Sequence, residues 1–182
     1  MTTHQMRPAA RRAASAGHRT VTTRQGWSSQ PVQAGFGEGA AVRDTTTCDL
    51  RPELGSIRTA REFLAETLQQ WRMMELHENA ELVVSELVTN ALHHGLVSDP
   101  PDPECPIQLR LLRKGQHVMC VVTDPSNEIP VRQDPVHEPD DLSALAENGR
   151  GLHVVTSYSR RWGWAPLAND GKAVWALFYG GQ

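Results

Sequence analysis

The chain has few of the features that mark nucleic-acid binding, secretion or membrane insertion. Lysine supplies only two of its 18 basic residues and the formal net charge is −3, so nothing attracts it globally to nucleic acid or to an anionic membrane. Its three cysteines form no CxxC pair, and an odd number leaves no complete disulfide set, which favours a reducing cytoplasm. No apolar run approaches the roughly 20 residues that span a bilayer. No secretory signal is recognisable at the start of the chain. We therefore expect a cytoplasmic protein without direct nucleic-acid or membrane partners.

The first 44 residues differ in composition from everything that follows. They are rich in Ala, Arg, Thr, Gln and Gly and have few large apolar side chains beyond Val21, Trp27, Val32, Phe36 and Val42. Such a segment buries too little apolar surface to offset its ordering entropy. We predict a disordered tail over residues 1–44 and one domain over residues 45–182. An organelle transit peptide is the alternative interpretation of this Arg-containing, acid-poor start.

Apolar periodicity predicts helices in the first half of the domain. A short β-prone run over residues 45–50 precedes a first helix over residues 53–71. The expected apolar stripe of that helix consists of Leu54, Ile57, Leu64 and Leu68, with Arg61 at the same spacing. A second helix is predicted over residues 78–94, with Gly95 suited to a left-handed cap.

The second half of the domain is dominated by strand patterns. Residues 107–124 are typical of a hairpin that turns at Lys114–Gly115, and residues 159–166 and 172–179 predict a second pair of strands. A short helix over residues 149–157 precedes that pair, after a long loop without periodicity. This order favours an α+β fold: a two-layer sandwich of a mostly antiparallel sheet with helices on one face.

A polar pair interrupts the apolar pattern of the second predicted helix, VVSELVTNALHHG. Glu86 and Asn90 lie one turn apart, at the margin of an apolar face, and would line whatever packs against that helix. An Asn oxygen can bind Mg²⁺ together with substrate phosphates, and a nearby Glu can act as a general base. A pair of hydrogen-bonding groups at the edge of the core is the alternative. His93 and His94 point about 100° apart, so they do not predict a chelating pair.

Two further stretches carry polar groups that could contact a ligand. Asp124 ends the apolar run MCVVTD and could accept a hydrogen bond from an exocyclic amine such as that of adenine. An Asp that opens a turn before Pro125 is the alternative. In NGRGLHVV, residues 148–155, glycines lead into a helix whose N-terminus favours anions, although helix starts contain glycine for many reasons.

The order of these stretches resembles a known superfamily. ELVTNALHHG resembles the N-box of the GHKL ATP-binding domains found in gyrase and histidine kinases, and VVTDPS stands where the adenine-binding Asp motif occurs. NGRGLHVV resembles the second glycine box, and GKAVWALF resembles the last core strand. The resemblance is strongest to the small anti-sigma-factor serine kinases of the RsbW and SpoIIAB type and their actinobacterial relatives, and it covers about residues 48–179. It implies the two-layer sandwich of the Bergerat fold.

The resemblance implies a nucleotide site for ATP or ADP with Mg²⁺. It assigns Asn90 to the metal ion, Glu86 to the role of catalytic base and Asp124 to the adenine amine. The other residues expected to contact the nucleotide are His94, Ser126, Gly149, Arg150, Gly151, Leu152 and Lys172. Residues 126–148 would form a lid over the nucleotide.

Two positions depart from the superfamily pattern. Ser126 stands where the motif usually has a glycine that lets the backbone approach the base, and Ala173 stands where a Thr usually assists the Asp. The resemblance implies a serine/threonine protein kinase that phosphorylates a STAS-type anti-sigma antagonist and binds a sigma factor, with a homodimer expected. The two departures motivate the alternative, a non-catalytic partner-binding module with a degenerate nucleotide site.

Overall fold

A five-stranded antiparallel sheet organises the protein. The computed structural model describes residues 30–37, 41–94, 107–130, 150–168 and 171–181. The elements in chain order are α1 (Gln30–Phe36), β1 (Asp44–Leu50), α2 (Gly55–Trp71), a 3-10 turn (Met74–Leu76), α3 (His77–His94), β2 (Ile107–Lys114), β3 (His117–Asp124), α4 (Arg150–Tyr158), β4 (Arg161–Pro166) and β5 (Lys172–Tyr179). The strands are ordered β1-β2-β3-β5-β4. No helix in the described ranges is long and apolar enough to cross a membrane.

Strands β3 and β5 are neighbours in the sheet although they are far apart in sequence. β2 and β3 form the predicted hairpin, turning at Gly115, whose φ of 58° suits a glycine. β3 then pairs along its whole length with β5, and this register sets Asp124 opposite Lys172. β5 pairs on its other side with β4, which forms one edge of the sheet, while β1 forms the other.

The main core lies between one face of the sheet and helices α2, α3 and α4. Alternate residues of the central strands point into it, as the two-residue period of a strand requires. From β3 and β5 these residues are Val118, Cys120, Val122, Val174, Ala176 and Phe178. Burial raises the pKa of the Cys120 thiol, which belongs to this core. The antiparallel sheet with its main helices on one face confirms the predicted fold class.

Helix α3 buries the face that its sequence predicts, whereas the stripe predicted for α2 is partly wrong. In α3 the buried side chains include Val83, Val84, Leu87, Val88 and Ala91. In α2, Leu64 and Leu68 are buried as expected, together with Ser56, Ala60 and Thr67. Leu54 precedes the helix and is 72% exposed. The burial of Ser56, Ala60 and Thr67 shows that the contact face of α2 is shifted from the predicted stripe.

The second face of the sheet is covered by part of the segment predicted to be a disordered tail. Trp175, Met119, Val121 and Leu177 form an apolar cluster there, against which Val32 and Phe36 of α1 pack. Gly35 permits this approach, because a side chain at that position would overlap the end of Met119. The prediction of disorder is therefore wrong for residues 30–36. A seven-residue helix gains its stability from such packing rather than from intrinsic propensity, which the average composition of the segment could not reveal.

Two glycines with positive φ offer a test of the backbone around the end of β3. Gly171 has a φ of 90°, and a Cβ there would overlap the backbone oxygen of Asp124, whereas a Cβ at Gly115 would meet nothing within 4 Å. We expect Gly115→Ala to lower the free energy of unfolding by about 1–2 kcal/mol through φ alone. Gly171→Ala should lower it by about 3 kcal/mol or more, because backbone atoms must also move. Equal losses in urea denaturation would contradict this.

Candidate functional site

The polar pair of α3 faces the first turn of α4. A Cβ placed on Gly151 would lie 2.9 Å from Oε2 of Glu86 and 3.2 Å from Nδ2 of Asn90. Both side chains therefore converge on the backbone of Gly151, and both are half-buried. We call Glu86, Asn90 and Gly151 the helix group. Any larger residue at position 151 would displace the carboxylate or the amide.

Helix α4 brings its positively polarised end to the helix group. It begins at Arg150, so its first unpaired backbone N–H groups lie beside Gly151. Such a helix end favours an anion. Leu152 and Val155 anchor the helix in the core, and the indole nitrogen of Trp162 donates a 2.9 Å hydrogen bond to Oγ1 of Thr156. Gly149 lies outside the described residues.

A buried ion pair occupies the end of β3. Lys172 Nζ lies 2.8 Å from Oδ1 of Asp124, and the two side chains keep only 7% and 2% of their surface exposed. The ammonium also donates to the backbone oxygen of Ser126 at 3.2 Å. Oδ1 of Asp124 accepts a second hydrogen bond, from the backbone N–H of Ser126 at 3.0 Å. The structure thus places Asp124, Ser126 and Lys172 together, three of the residues that the sequence indicated.

Asn127 and Gly171 complete this arrangement, which we call the strand-end group: Asp124, Ser126, Asn127, Gly171 and Lys172. Oδ1 of Asn127 accepts a 2.8 Å hydrogen bond from the backbone N–H of Gly171. Ser126 is fully buried, and its Oγ accepts a hydrogen bond from the backbone N–H of Glu128 at 3.0 Å. The segment after β3 is therefore fastened to the start of β5 by side-chain and backbone contacts.

The electrostatics of Asp124 reflect two opposing influences. Burial raises the pKa of its carboxyl group above the ordinary value, and the nearby charge of Glu128 acts in the same direction. The ammonium of Lys172 and the N–H of Ser126 oppose that rise by stabilising the carboxylate. These two partners thus favour the ionised form of the carboxyl group against the effect of its burial.

The register of β3 and β5 changes the interpretation of the two sequence departures. Ala173 pairs with Thr123, and its side chain is buried in the apolar cluster of the second face, so it does not adjoin Asp124. The polar neighbour supplied by β5 is Lys172. In the described part of the chain, Arg72 is the one non-glycine residue with positive φ, so the φ of Ser126 is negative. Position 126 therefore does not need the conformational freedom of a glycine.

The structure leaves one predicted contact residue apart and adds two that the sequence did not indicate. His94 is exposed at the last residue of α3, and no described contact joins it to either group. Asn127 and Gly171 were missed because their hydrogen bond spans 44 residues of sequence. The pairing of Lys172 had one available signal: it is one of only two lysines in a chain that otherwise uses arginine, and it begins an apolar strand.

The arrangement matches a known family over most of its length. Residues 50–178 match the histidine kinase-like ATPase domain. The chain belongs to this family. A crystal structure of the RsbU and RsbW domains of Rv1364c from Mycobacterium tuberculosis is similar in fold, with a TM-score of 0.54 at 16% identity. The similarity covers 75% of this chain but 32% of that one, so this ATPase-family chain spans about a third of the length of its structural relative. No curated protein gives a significant match.

The pairing of Asp124 with Lys172 predicts strongly non-additive effects on the stability of this ATPase-family domain. Asp124→Ala would leave a buried ammonium without its counter-charge and should lower the free energy of unfolding by about 3–5 kcal/mol. The double variant Asp124→Leu, Lys172→Met removes both charges and should recover most of that loss. Urea denaturation of the two single variants and the double variant measures the coupling. Additive losses would contradict a tightly coupled pair.

Proposed function

We propose that this chain is an ATP-binding regulatory protein whose nucleotide lies between the strand-end group and the helix group. The observation that carries the proposal is the convergence of Glu86 and Asn90 on the first turn of α4. A carboxylate, an amide and a positively polarised helix end suit the phosphates and metal ion of a nucleotide. Membership of the histidine kinase-like ATPase family supports the same assignment.

The residues near α4 are suited to a magnesium ion that is held jointly with phosphates. In the described ranges, no three His, Cys, Asp or Glu side chains are grouped closely enough to hold a metal by themselves. Mg²⁺ in nucleotide sites needs few protein ligands, because waters and phosphate oxygens complete its octahedron. Asn90 offers one neutral oxygen ligand. The bound ion would neutralise charge on the phosphates during transfer.

The base of the nucleotide would lie at the strand-end group. The Asp124 carboxylate can accept a hydrogen bond from an exocyclic amine, such as that of adenine. Both described hydrogen bonds to Asp124 end on Oδ1, so Oδ2 is the oxygen that a base would share. Base at one group and phosphates at the other would set the nucleotide across the face of α3.

The reaction that these residues support is phosphoryl transfer to a protein hydroxyl. Glu86 would accept the proton of a serine or threonine hydroxyl while its oxygen attacks the γ-phosphorus of ATP, and ADP would leave. The resemblance to the RsbW and SpoIIAB type suggests a STAS-domain antagonist as the substrate and a sigma factor as the alternative partner. In this proposal the protein is an anti-sigma factor acting as a homodimer in the cytoplasm.

A second candidate function follows from the burial of Asp124. Its carboxylate is already paired with Lys172 and keeps 2% of its side-chain surface exposed. A protein in which that pair never opens to a base would be a partner-binding module without catalysis. The two functions differ in whether the 182-residue chain binds nucleotide, and calorimetry with ATP and Mg²⁺ distinguishes them.

Substitution of the helix group tests the proposed catalytic function. We expect Asn90→Ala to weaken binding of ATP in the presence of Mg²⁺ by at least about tenfold, because the metal loses its protein ligand. Glu86→Gln should bind ATP nearly as well as the unaltered protein does. It should transfer phosphate at least about 100-fold more slowly, because the base is lost. Binding is measured by calorimetry, and transfer by phosphorylation of STAS proteins from the native host.

Glu78→Gln is the matched control for these variants, because Glu78 is an exposed carboxylate in the first turn of the same helix. It should leave both binding and transfer unchanged. Transfer by Glu86→Gln at the unaltered rate would remove Glu86 from the mechanism. Absence of ATP binding by the unaltered protein up to millimolar concentration would favour the partner-binding module.

A further inference from the structure

The ammonium of Lys172 is used in contacts within the protein, to Asp124 and to Ser126. Its ammonium donates to Oδ1 of Asp124 at 2.8 Å and to the backbone oxygen of Ser126 at 3.2 Å. It reaches both from the opposite strand, because the β3–β5 register sets it across from Asp124. Its side chain is 7% exposed, so the ammonium is buried against Asp124 and is not available as an exposed cation for a phosphate.

The contacts of Asp124 are divided unequally between its two oxygens. Oδ1 receives both the ammonium of Lys172 and the N–H of Ser126, a number of donors that fills the usual capacity of one carboxylate oxygen. In the described part of the chain, no hydrogen bond or ion pair of Asp124 ends on Oδ2. The two donors thereby fix the plane of the carboxylate and leave a single oxygen for an incoming amine.

We propose that Lys172 is a positioning residue for base recognition: it holds Asp124 ionised and oriented through Oδ1, so that Oδ2 can accept a hydrogen bond from the amine of the base. This inference rests on the nucleotide-binding function proposed above. Lys172 takes the part that a hydroxyl next to the Asp would otherwise have, but it does so with a full charge from one position earlier in β5.

The charge of Lys172 gives this role a measurable signature. Burial raises the pKa of Asp124, and Lys172 opposes that rise. Among the described residues, the other charged group that acts on Asp124 is Glu128, which is exposed in the segment after β3. Glu128 is unchanged in a Lys172 variant, so it does not contribute to a difference from the unaltered protein. Without Lys172 the carboxyl group retains a proton to higher pH, and a protonated Oδ2 accepts an amine poorly. Binding by a Lys172→Met variant should therefore weaken as the pH falls.

The first test needs no nucleotide. Because the chain has only two lysines, Lys114 and Lys172, labelling with [13Cε]lysine gives two NMR signals, which Lys114→Met assigns. The Lys172 signal should shift with an inflection at the pKa of Asp124, and Asp124→Asn, which keeps an acceptor oxygen, should abolish that inflection. A Lys172 signal that does not respond as Asp124 titrates would overturn the coupling.

The second test compares nucleotide affinity at two pH values in the 182-residue chain. ATP with Mg²⁺ is titrated into the unaltered protein and into Lys172→Met at pH 8 and pH 6, after a check of folding by circular dichroism. Protonation of ATP itself affects both proteins equally. The readout at each pH is therefore the dissociation constant of Lys172→Met divided by that of the unaltered protein. The ratio should grow by up to about tenfold per pH unit below the raised pKa of the variant. Lys172→Arg, which retains the charge, should restore much of the affinity at pH 6.

Controls separate this inference from the function on which it rests. Lys114→Met should bind as the unaltered protein does at both pH values, because Lys114 contacts α1 on the other side of the sheet. If Lys172→Met does not fold, Lys172→Gln, which keeps a donor without the charge, gives the same readout. Equal or tighter binding by the Lys172 variants at both pH values would overturn the positioning role while leaving the nucleotide site in place. Failure of the unaltered protein to bind ATP would overturn the proposed function and this inference together.

Discussion

The pairing of β3 with β5 is the constraint on which both the core and the strand-end group depend. These strands are buried on both faces: one face packs against α2, α3 and α4, and the other is covered in part by α1. The same ladder sets Lys172 across from Asp124. A slip of one residue would exchange the two faces and move the ammonium away from the carboxylate. Packing of the apolar residues therefore also determines the position of the ion pair.

The two polar groups are assembled by different physical means. The helix group depends on a close approach between α3 and α4, and Gly151 makes room for the carboxylate and amide of α3. The strand-end group depends on charge: two buried ions are paired and also hydrogen-bonded to backbone atoms, which offsets the desolvation of each. Replacement of both charges by apolar residues could leave the domain as stable, so the stability of the domain does not by itself require the pair.

Local periodicity predicted the elements well, because the repeat of apolar residues within α3 and within the β2–β3 hairpin extends over only a few positions of sequence. The buried face of α3 and the turn at Gly115 are examples. Contacts between distant parts of the chain were not predictable in this way. The sequence indicated Asp124 and Lys172 separately, but their contact requires knowledge that the last strand lies beside β3. Likewise, α1 packs on a sheet face formed by residues of the second half of the domain, from Leu112 to Leu177, and composition averaged over 44 residues conceals it.

The two departures from the superfamily pattern have a physical explanation in the surrounding geometry. Ser126 occupies a conformation open to any residue and uses its backbone N–H and C=O to bind Asp124 and Lys172. Ala173 faces the apolar cluster, where a hydroxyl would gain nothing from Asp124. What changes is the chemistry that supports the carboxylate: a hydroxyl is neutral at every pH, whereas an ammonium contributes a full charge. In such a site the ammonium would favour the ionised form of the Asp even where the carboxyl group is buried. The ionised form is the one that accepts a hydrogen bond from an amine.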